Sequence, residues 1–479
     1  MRSIHPFRSK RRERGAVLIL TALTLVVLIG AVGLAVDSGR GYGVKARLNA
    51  AVDAAAIAAA RALSEGATDG ERIAKARETG TRFFTMNYPA NFMSSTVSAP
   101  SINAQRLESG RWVVDVSASA DMPTTFMRVL GRTQYDVAAS GQAIRRDLDV
   151  MLVMDTSGSL APPTSSSSTF PTLKNAAINS FIARFVDGTG GDRVGLVTFA
   201  SGTVIDVPIN KNSNRGFNRS QVVNAINALD AEGATASADG LSKGVSELNA
   251  IPASIRSSLR VILLFSDGAP NIVNGQFRRA NNSTVNGNLY SETSNSNIIV
   301  GGRTVCPSGD GACRMFPPAQ RDGNESWYAS VNTSGVSRPE ITHLPLTGSG
   351  TTPLASFNNR RTLQTAGGAT GYPYDNSRCN VNKAARSMLE NIANSARGSD
   401  IRIYTIGLGN ALNNLEVTFC GYALANESGS TILKRVANAQ DADTVNASQP
   451  RGLYCHAATA SDLNRCFSSI ASEILRLTL

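Results

Sequence analysis

Three patterns of hydrophobic positions divide this chain of 479 residues. The first is an unbroken apolar run over residues 15–36, GAVLILTALTLVVLIGAVGLAV, with no charge in it. As a helix it would be roughly 33 Å long, enough to cross the hydrocarbon core of a bilayer. Residues 44–63 continue as helix: they lack Pro and Gly and are rich in Ala, the best helix former. Their composition reads as an amphipathic stalk, with small residues that would let another helix approach closely.

The second pattern is alternation. Trp112, Val114, Val116 and Ala118 alternate with Val113, Asp115, Ser117 and Ser119, which predicts a half-buried strand. With a charged helical piece at 70–87, it makes residues 64–146 a small α+β module that shows nothing catalytic.

The third pattern is the short apolar run closed by turn residues: 150–154 (VMLVM) and 261–265 (VILLF). Such runs read as strands covered on both faces, as in a parallel sheet. Around them the chain predicts helices at 172–186, 219–229, 236–249 and 381–396, and strands at 192–199, 203–208 (an edge) and 401–408. A last helix spans 459–476. There Leu463, Phe467, Ile470, Ile474 and Leu477 form one core-facing stripe, and the basic polar face of a membrane-lying helix is missing. Strands alternating with helices give an α/β fold with a mainly parallel sheet flanked by helices. The domains are then a basic tail (1–14), a transmembrane helix (15–36), a stalk and small module (37–146), and an α/β domain (147–479). An insertion at about 269–380, rich in Asn, Ser and Gly and holding Trp327, Tyr328 and Cys306, interrupts the last of these just after Asp267. A loop this long is either functional or disordered.

Composition changes the picture in two places. The net charge of +11 suggests nucleic acid, but six basic residues against Glu13 in the first 14 supply much of it, and no dense basic run follows. A nucleic-acid partner is therefore not expected. The same concentration of charge before the span, with Asp37 just after it, places the N-terminus in the cytoplasm and the rest outside. Gly33-Leu34-Ala35 loosely resembles a signal-peptidase site, but the apolar region of a signal peptide is only ~7–15 residues, so an uncleaved anchor is the better reading.

All six cysteines (306, 313, 379, 420, 455, 466) follow the span. An even number on the exported side predicts disulfides, with Cys306–Cys313 and Cys420–Cys455 as candidates among many pairings. No C-x-x-C favours zinc. His5, His343 and His456 lack partners at catalytic spacing, and no P-loop, G-x-G-x-x-G or Ser/His/Asp order is present, so the chain does not read as an enzyme.

The candidate chemistry lies at the ends of the two apolar strands. The first runs into Asp155-Thr156-Ser157-Gly158-Ser159, one carboxylate and two hydroxyls at alternate positions. In open α/β sheets ligands gather at the carboxyl ends of strands, and these hard oxygens suit a hard divalent cation. The bland alternative is a chance turn in a Ser-rich chain. The second strand ends in Ser266-Asp267-Gly268, adding a second carboxylate. Between them Glu232-Gly233-Ala234-Thr235-Ala236-Ser237 is a Gly-led loop in which Thr235 offers another hydroxyl.

These residues resemble the von Willebrand factor A family, whose metal-ion-dependent adhesion site combines D-x-S-x-S, a Thr loop and an Asp at a strand end. The resemblance implies a Rossmann-like fold and the ligand set Asp155, Ser157, Ser159, Thr235 and Asp267. The cation it implies is Mg²⁺, with Mn²⁺ or Ca²⁺ as alternatives. One open position would take an Asp or Glu carboxylate from a partner protein, which is binding and not turnover.

The N-terminus has a resemblance of its own. Arg12 to Gly15, then Asp37, Leu48-Asn49-Ala50-Ala51 and Asp53-Ala54-Ala55-Ala56 resemble TadG-like proteins of the Flp (tight-adherence) pilus assembly systems. This implies a single-pass protein of the bacterial inner membrane. Its bulk would lie in the periplasm or envelope, and its partners would be other pilus-assembly or envelope proteins. Prepilin-type processing after Gly15 would want Glu where Leu20 stands, so the chain departs from a pilin there. The rivals are a structural tether with an inert A domain, and a metal-dependent hydrolase using Asp155 and Asp267.

Overall fold

The computed structural model describes residues 13–63, 68–107, 111–161, 169–279, 282–291, 299–303, 327–330, 341–356, 360–367, 370–414 and 427–478. Contacts divide the chain between Arg145 and Arg146 into two units.

The first unit begins with one long helix, α1 (Glu13–Ala62). Its early side chains stand exposed, Leu18 at 74% and Val27 at 70%, and it is long and apolar enough to cross a membrane. Its later half is not the free stalk that composition suggested. Leu48, Ala51, Val52, Ala55 and Ala59 are fully buried, in one core with α2 (Asp69–Asn87) and a four-stranded antiparallel sheet. That sheet consists of β1 (Thr96–Val97), β2 (Ser101–Arg106), β3 (Arg111–Pro123) and β4 (Gln134–Arg146). A capping box starts α2: the Thr68 hydroxyl accepts from the Glu71 amide at 3.3 Å, and the Thr68 amide donates back to the Glu71 carboxylate.

Small residues let α1 and α2 touch. A Cβ on Gly80 would stand 2.7 Å from Ile102 Cδ1 and 3.1 Å from Ala59 Cβ. Gly80→Leu is therefore expected to destabilise this unit by about 1–3 kcal/mol through overpacking, measured as a lower unfolding midpoint.

The second unit is organised around β5 (Leu148–Asp155), every residue of which is buried. It lies between β6 (Arg193–Phe199) and β8 (Leu259–Ser266), parallel to both. β7 (Thr203–Val207) closes one edge antiparallel, as its sequence position suggested. β15 (Ile401–Leu408) and β16 (Tyr454–Ala457) continue the parallel side beyond β8. Helices cover both faces, which is why these strands are continuously apolar. Met151 and Val153 face α5 (Ser237–Asn249), α6 (Arg378–Gly398) and α7 (Gly429–Ala437). Val150, Leu152 and Met154 face α3 (Thr169–Ala176), α4 (Arg219–Asn227) and α8 (Leu463–Arg476). The helix expected over 172–186 begins at Thr169 and loosens after Ala176 into a wider turn (Ala177–Phe181) and a 3₁₀ turn. Residues 162–168 of the Ser-rich loop lie outside the described residues.

The other end of β5 is pinned by charge. The buried Asp149 carboxylate accepts from the Ser257 amide at 2.7 Å and from Arg193 at 3.1 Å.

The inserted segment is neither a bare loop nor disorder where it is described. It forms a second, antiparallel sheet in the order β12 (Trp327–Ser330), β11 (Ile299–Arg303), β10 (Thr284–Ser291), β9 (Ile272–Arg279), β13 (Ile341–Leu344), β14 (Tyr374–Asp375). Val273, Phe277, Leu289 and Leu344 join the core of α5 and α6, which ties β9, β10 and β13 to the domain. Arg361 latches it down. Its guanidinium reaches Glu427 at 2.6 Å and Glu390 on α6 at 2.8 Å, with Arg435 of α7 paired to the same two carboxylates.

Cys455 on β16 is bonded to Cys466 on α8, with Cα atoms 5.6 Å apart. This overturns the Cys420–Cys455 pairing: the chain turns straight back from β16 into α8, which brings the two sulfurs together. Cys379 is also disulfide-bonded, and there is no free cysteine among the described residues. Cys306, Cys313 and Cys420 lie outside them.

Candidate metal centre

Asp155 is the last residue of β5 and is fully buried. Beyond it the backbone is held to its neighbours: the Thr156 amide donates to the Phe199 carbonyl and the Glu232 amide to the Thr156 carbonyl, both at 2.8 Å. The Gly158 amide donates to the Gly233 carbonyl at 2.9 Å. A Cβ on Gly158 would stand 3.2 Å from that carbonyl oxygen, so the close approach favours glycine. These bonds bring the first loop of the candidate site against the Thr235 loop.

The side chains converge as follows. The Asp155 carboxylate accepts from the Ser157 amide at 2.7 Å and from the Ser266 hydroxyl at 2.6 Å. Ser157 Oγ and Ser159 Oγ are 3.0 Å apart, and the Ser159 hydroxyl donates to Asp267 Oδ1 at 2.8 Å. Thr235 is buried, and its Oγ1 lies 3.5 Å from where a Cβ on Gly268 would be. All five residues singled out in the sequence thus lie at one end of the central strands. The site is closed at Asp155 and open at its other side, where Ser159 is exposed and Asp267 partly so.

Three supporting residues were not singled out from sequence. Ser266 holds Asp155, as above. Asn271 brackets Thr235: the Thr235 amide donates to Asn271 Oδ1 at 3.0 Å, and the Asn271 amide donates to the Thr235 carbonyl. The Ser201 hydroxyl accepts from the Ala234 amide at 2.9 Å. Only Ser266, next to Asp267 at a strand end, carried a local signal.

Electrostatically the site has no counter-charge among the described residues. Burial pushes the Asp155 carboxyl up to about 6, more than the Ser157 and Ser266 hydrogen bonds offset. Burial and the nearby Asp155 charge push Asp267 up to about 7. Two carboxyls so raised, with hydroxyls and, among the described residues, no cationic side chain bonded to them, form a donor set that fits a hard dication. Among the described residues no cluster of three or more His, Cys, Asp or Glu offers another metal site. His456, for its part, bonds Tyr454, Asn413 and Asn410.

Residues 150–269 match the von Willebrand factor type A domain family, and residues 15–62 match the family described as putative Flp pilus-assembly TadE/G-like. The chain carries a TadE/G-like segment and an A domain. No curated protein matches it. Among solved structures, the pilus adhesin SpaC from Lactobacillus rhamnosus GG is 15% identical, with a TM-score of 0.37 over 79% of this chain; the match spans only 34% of SpaC. The PilB minor pilin of Streptococcus sanguinis is 15% identical over 80% of this chain and 79% of its own, at a TM-score of 0.37. The von Willebrand domain of the type V pili tip protein Mfa5 from Porphyromonas gingivalis is 19% identical, covering 70% of this chain and 98% of its own, at a TM-score of 0.36. Likenesses this distant transfer no function to the A domain described here.

Proposed function

We propose that this protein is a membrane-anchored, Mg²⁺-dependent protein-binding component of a bacterial envelope system, serving Flp-type pilus assembly or adhesion. The observation that carries the reading is the convergence of Asp155, Ser157, Ser159, Thr235 and Asp267 at the carboxyl end of the central strands, open on the Ser159 and Asp267 side. Those five side chains would hold the cation, the two carboxylates offsetting its charge and the three hydroxyls adding neutral oxygens. A bound dication would supply an electrophilic position for an Asp or Glu carboxylate of a partner. Residues 15–36 of α1 would anchor the chain in the inner membrane with the basic tail in the cytoplasm, and the disulfides suit an oxidising exterior.

Thermal unfolding with and without Mg²⁺ tests this. Ligation stabilises only the folded form, by about 2.7 kcal/mol at a concentration ~100 times Kd. The native chain should melt higher in Mg²⁺, and Asp155→Ala should show no such rise. An unchanged Mg²⁺ response in the variant would remove Asp155 from the site. If the response disappears while the pilus or adhesion phenotype persists, the A domain is inert and the chain is a tether.

A further inference from the structure

Within the first unit, a short turn outside the main core sits beside the apolar half of α1. It runs from Thr125 through a 3₁₀ turn (Met127–Leu130) to Gly131, whose φ of 81° closes it. Phe126 packs on Gly33 of α1 so tightly that a Cβ on that glycine would stand 2.4 Å from Phe126 Cβ. Gly33 lies inside the span at 15–36, four residues and about 6 Å along the helix before Asp37. If the helix crosses a bilayer, whatever rests on Gly33 must share its depth, near the boundary of headgroups and acyl chains.

The side chains suit that depth. Val129 is 77% exposed and Phe126, on its side away from Gly33, 40% exposed, so the tip of the turn presents apolar surface. Arg128 and Arg132, both exposed, flank it with positive charge. The backbone suits it too. Non-helical backbone near lipid is tolerated only where its polar groups are satisfied, and here the fully buried Asp37 carboxylate takes three amides: Thr125 at 3.0 Å, Phe126 at 3.0 Å and Met127 at 2.8 Å. The amides of Val129, Gly131 and Arg132 are bonded within the turn. Arg40 adds a bond to the Thr125 hydroxyl at 2.5 Å. The turn is thus fixed to the helix and cannot lift away without stripping Asp37 of its partners.

We propose that residues 125–132 are a lipid-binding element: Phe126 and Val129 enter the outer boundary of the bilayer that α1 crosses, and Arg128 and Arg132 meet lipid phosphates. This rests on the reading of residues 15–36 as a membrane span. The depth matches that at which interfacial apolar groups settle, about 5–10 Å into the headgroup–acyl boundary.

The test uses the full chain in phospholipid vesicles, with an environment-sensitive fluorophore on one introduced thiol at a time and the unsubstituted chain as background. Val129→Cys should give blue-shifted emission quenched most by lipids carrying a nitroxide at a shallow position. Val26→Cys should be quenched most by a deep nitroxide, and Lys75→Cys, on the exposed face of α2, by neither. If Val129→Cys behaves like Lys75→Cys while Val26→Cys is quenched, the anchor stands and the lipid-binding turn is overturned. If Val26→Cys also escapes quenching, the anchor reading fails and the proposal fails with it.

Discussion

Glu427→Ala is expected to destabilise the second unit by about 3–5 kcal/mol, the usual cost of removing one partner from a buried ion pair. Arg361, Arg386 and Arg435, all buried, share this carboxylate; without it Arg361 keeps its pair with Glu390, and Arg435 keeps Glu390 and Asp443. The loss is a large part of the 5–15 kcal/mol that holds a typical domain folded. Because Arg361 belongs to the inserted segment, the second sheet should loosen first. Chemical denaturation of the full chain, with hydrogen exchange on β9 and β13, reads both effects, and a change below ~1 kcal/mol would show that the latch is dispensable. Acid should mimic the substitution. Burial alone would raise the Glu427 carboxyl, but Arg361, Arg386 and Arg435 hold it below the ordinary range. A carboxyl lowered in the folded state contributes stability above its unfolded pKa of about 4.3, and loses it as pH falls further.

The second expected result has the opposite sign. Asp155 and Asp267 are raised in the folded chain, to about 6 and about 7. Without metal the folded state then binds more protons than the unfolded state between about pH 4 and pH 7, so stability must fall as pH rises through that window, by on the order of several kcal/mol. A cation that displaces those protons should remove the slope, so Mg²⁺ should stabilise most above pH 7 and least near pH 5. Denaturation at a series of pH values, with chelator or with Mg²⁺, checks this. Parallel curves under the two conditions would detach the acid pair from metal binding. Asp267→Asn should flatten the metal-free slope without Mg²⁺.

How much of this was legible in the sequence depended on how each element is covered. β5 and β8 are buried on both faces, so 150–154 and 261–265 are continuously apolar and stand out. Asp155, Ser157, Ser159 and Asp267 were legible because they sit at the ends of those strands. Asn271 and Ser201 were not, because they act through approaches made only in the folded chain, between loops remote in sequence. The inserted sheet was illegible for a different reason. β9 and β10 bury few large apolar side chains and are joined partly through polar ones, Asn274 donating to Asn288 at 2.7 Å, so their composition imitates a loop. Cysteine spacing could not select Cys466 for Cys455, since the choice depends on how β16 hands the chain to α8.

The course of β5 also bears on load. The chain enters the second unit at Arg146 and passes at once into this strand, whose opposite end is Asp155. If a partner is held at Asp155 while the membrane holds the other end, tension travels along the strand's own axis. To slide, β5 would have to shear its parallel ladders with β6 and β8 together, each about seven residues long. Hydrogen bonds loaded side by side in this way fail collectively and not one after another, so under the proposed function both ladders of β5 would resist such a pull at once.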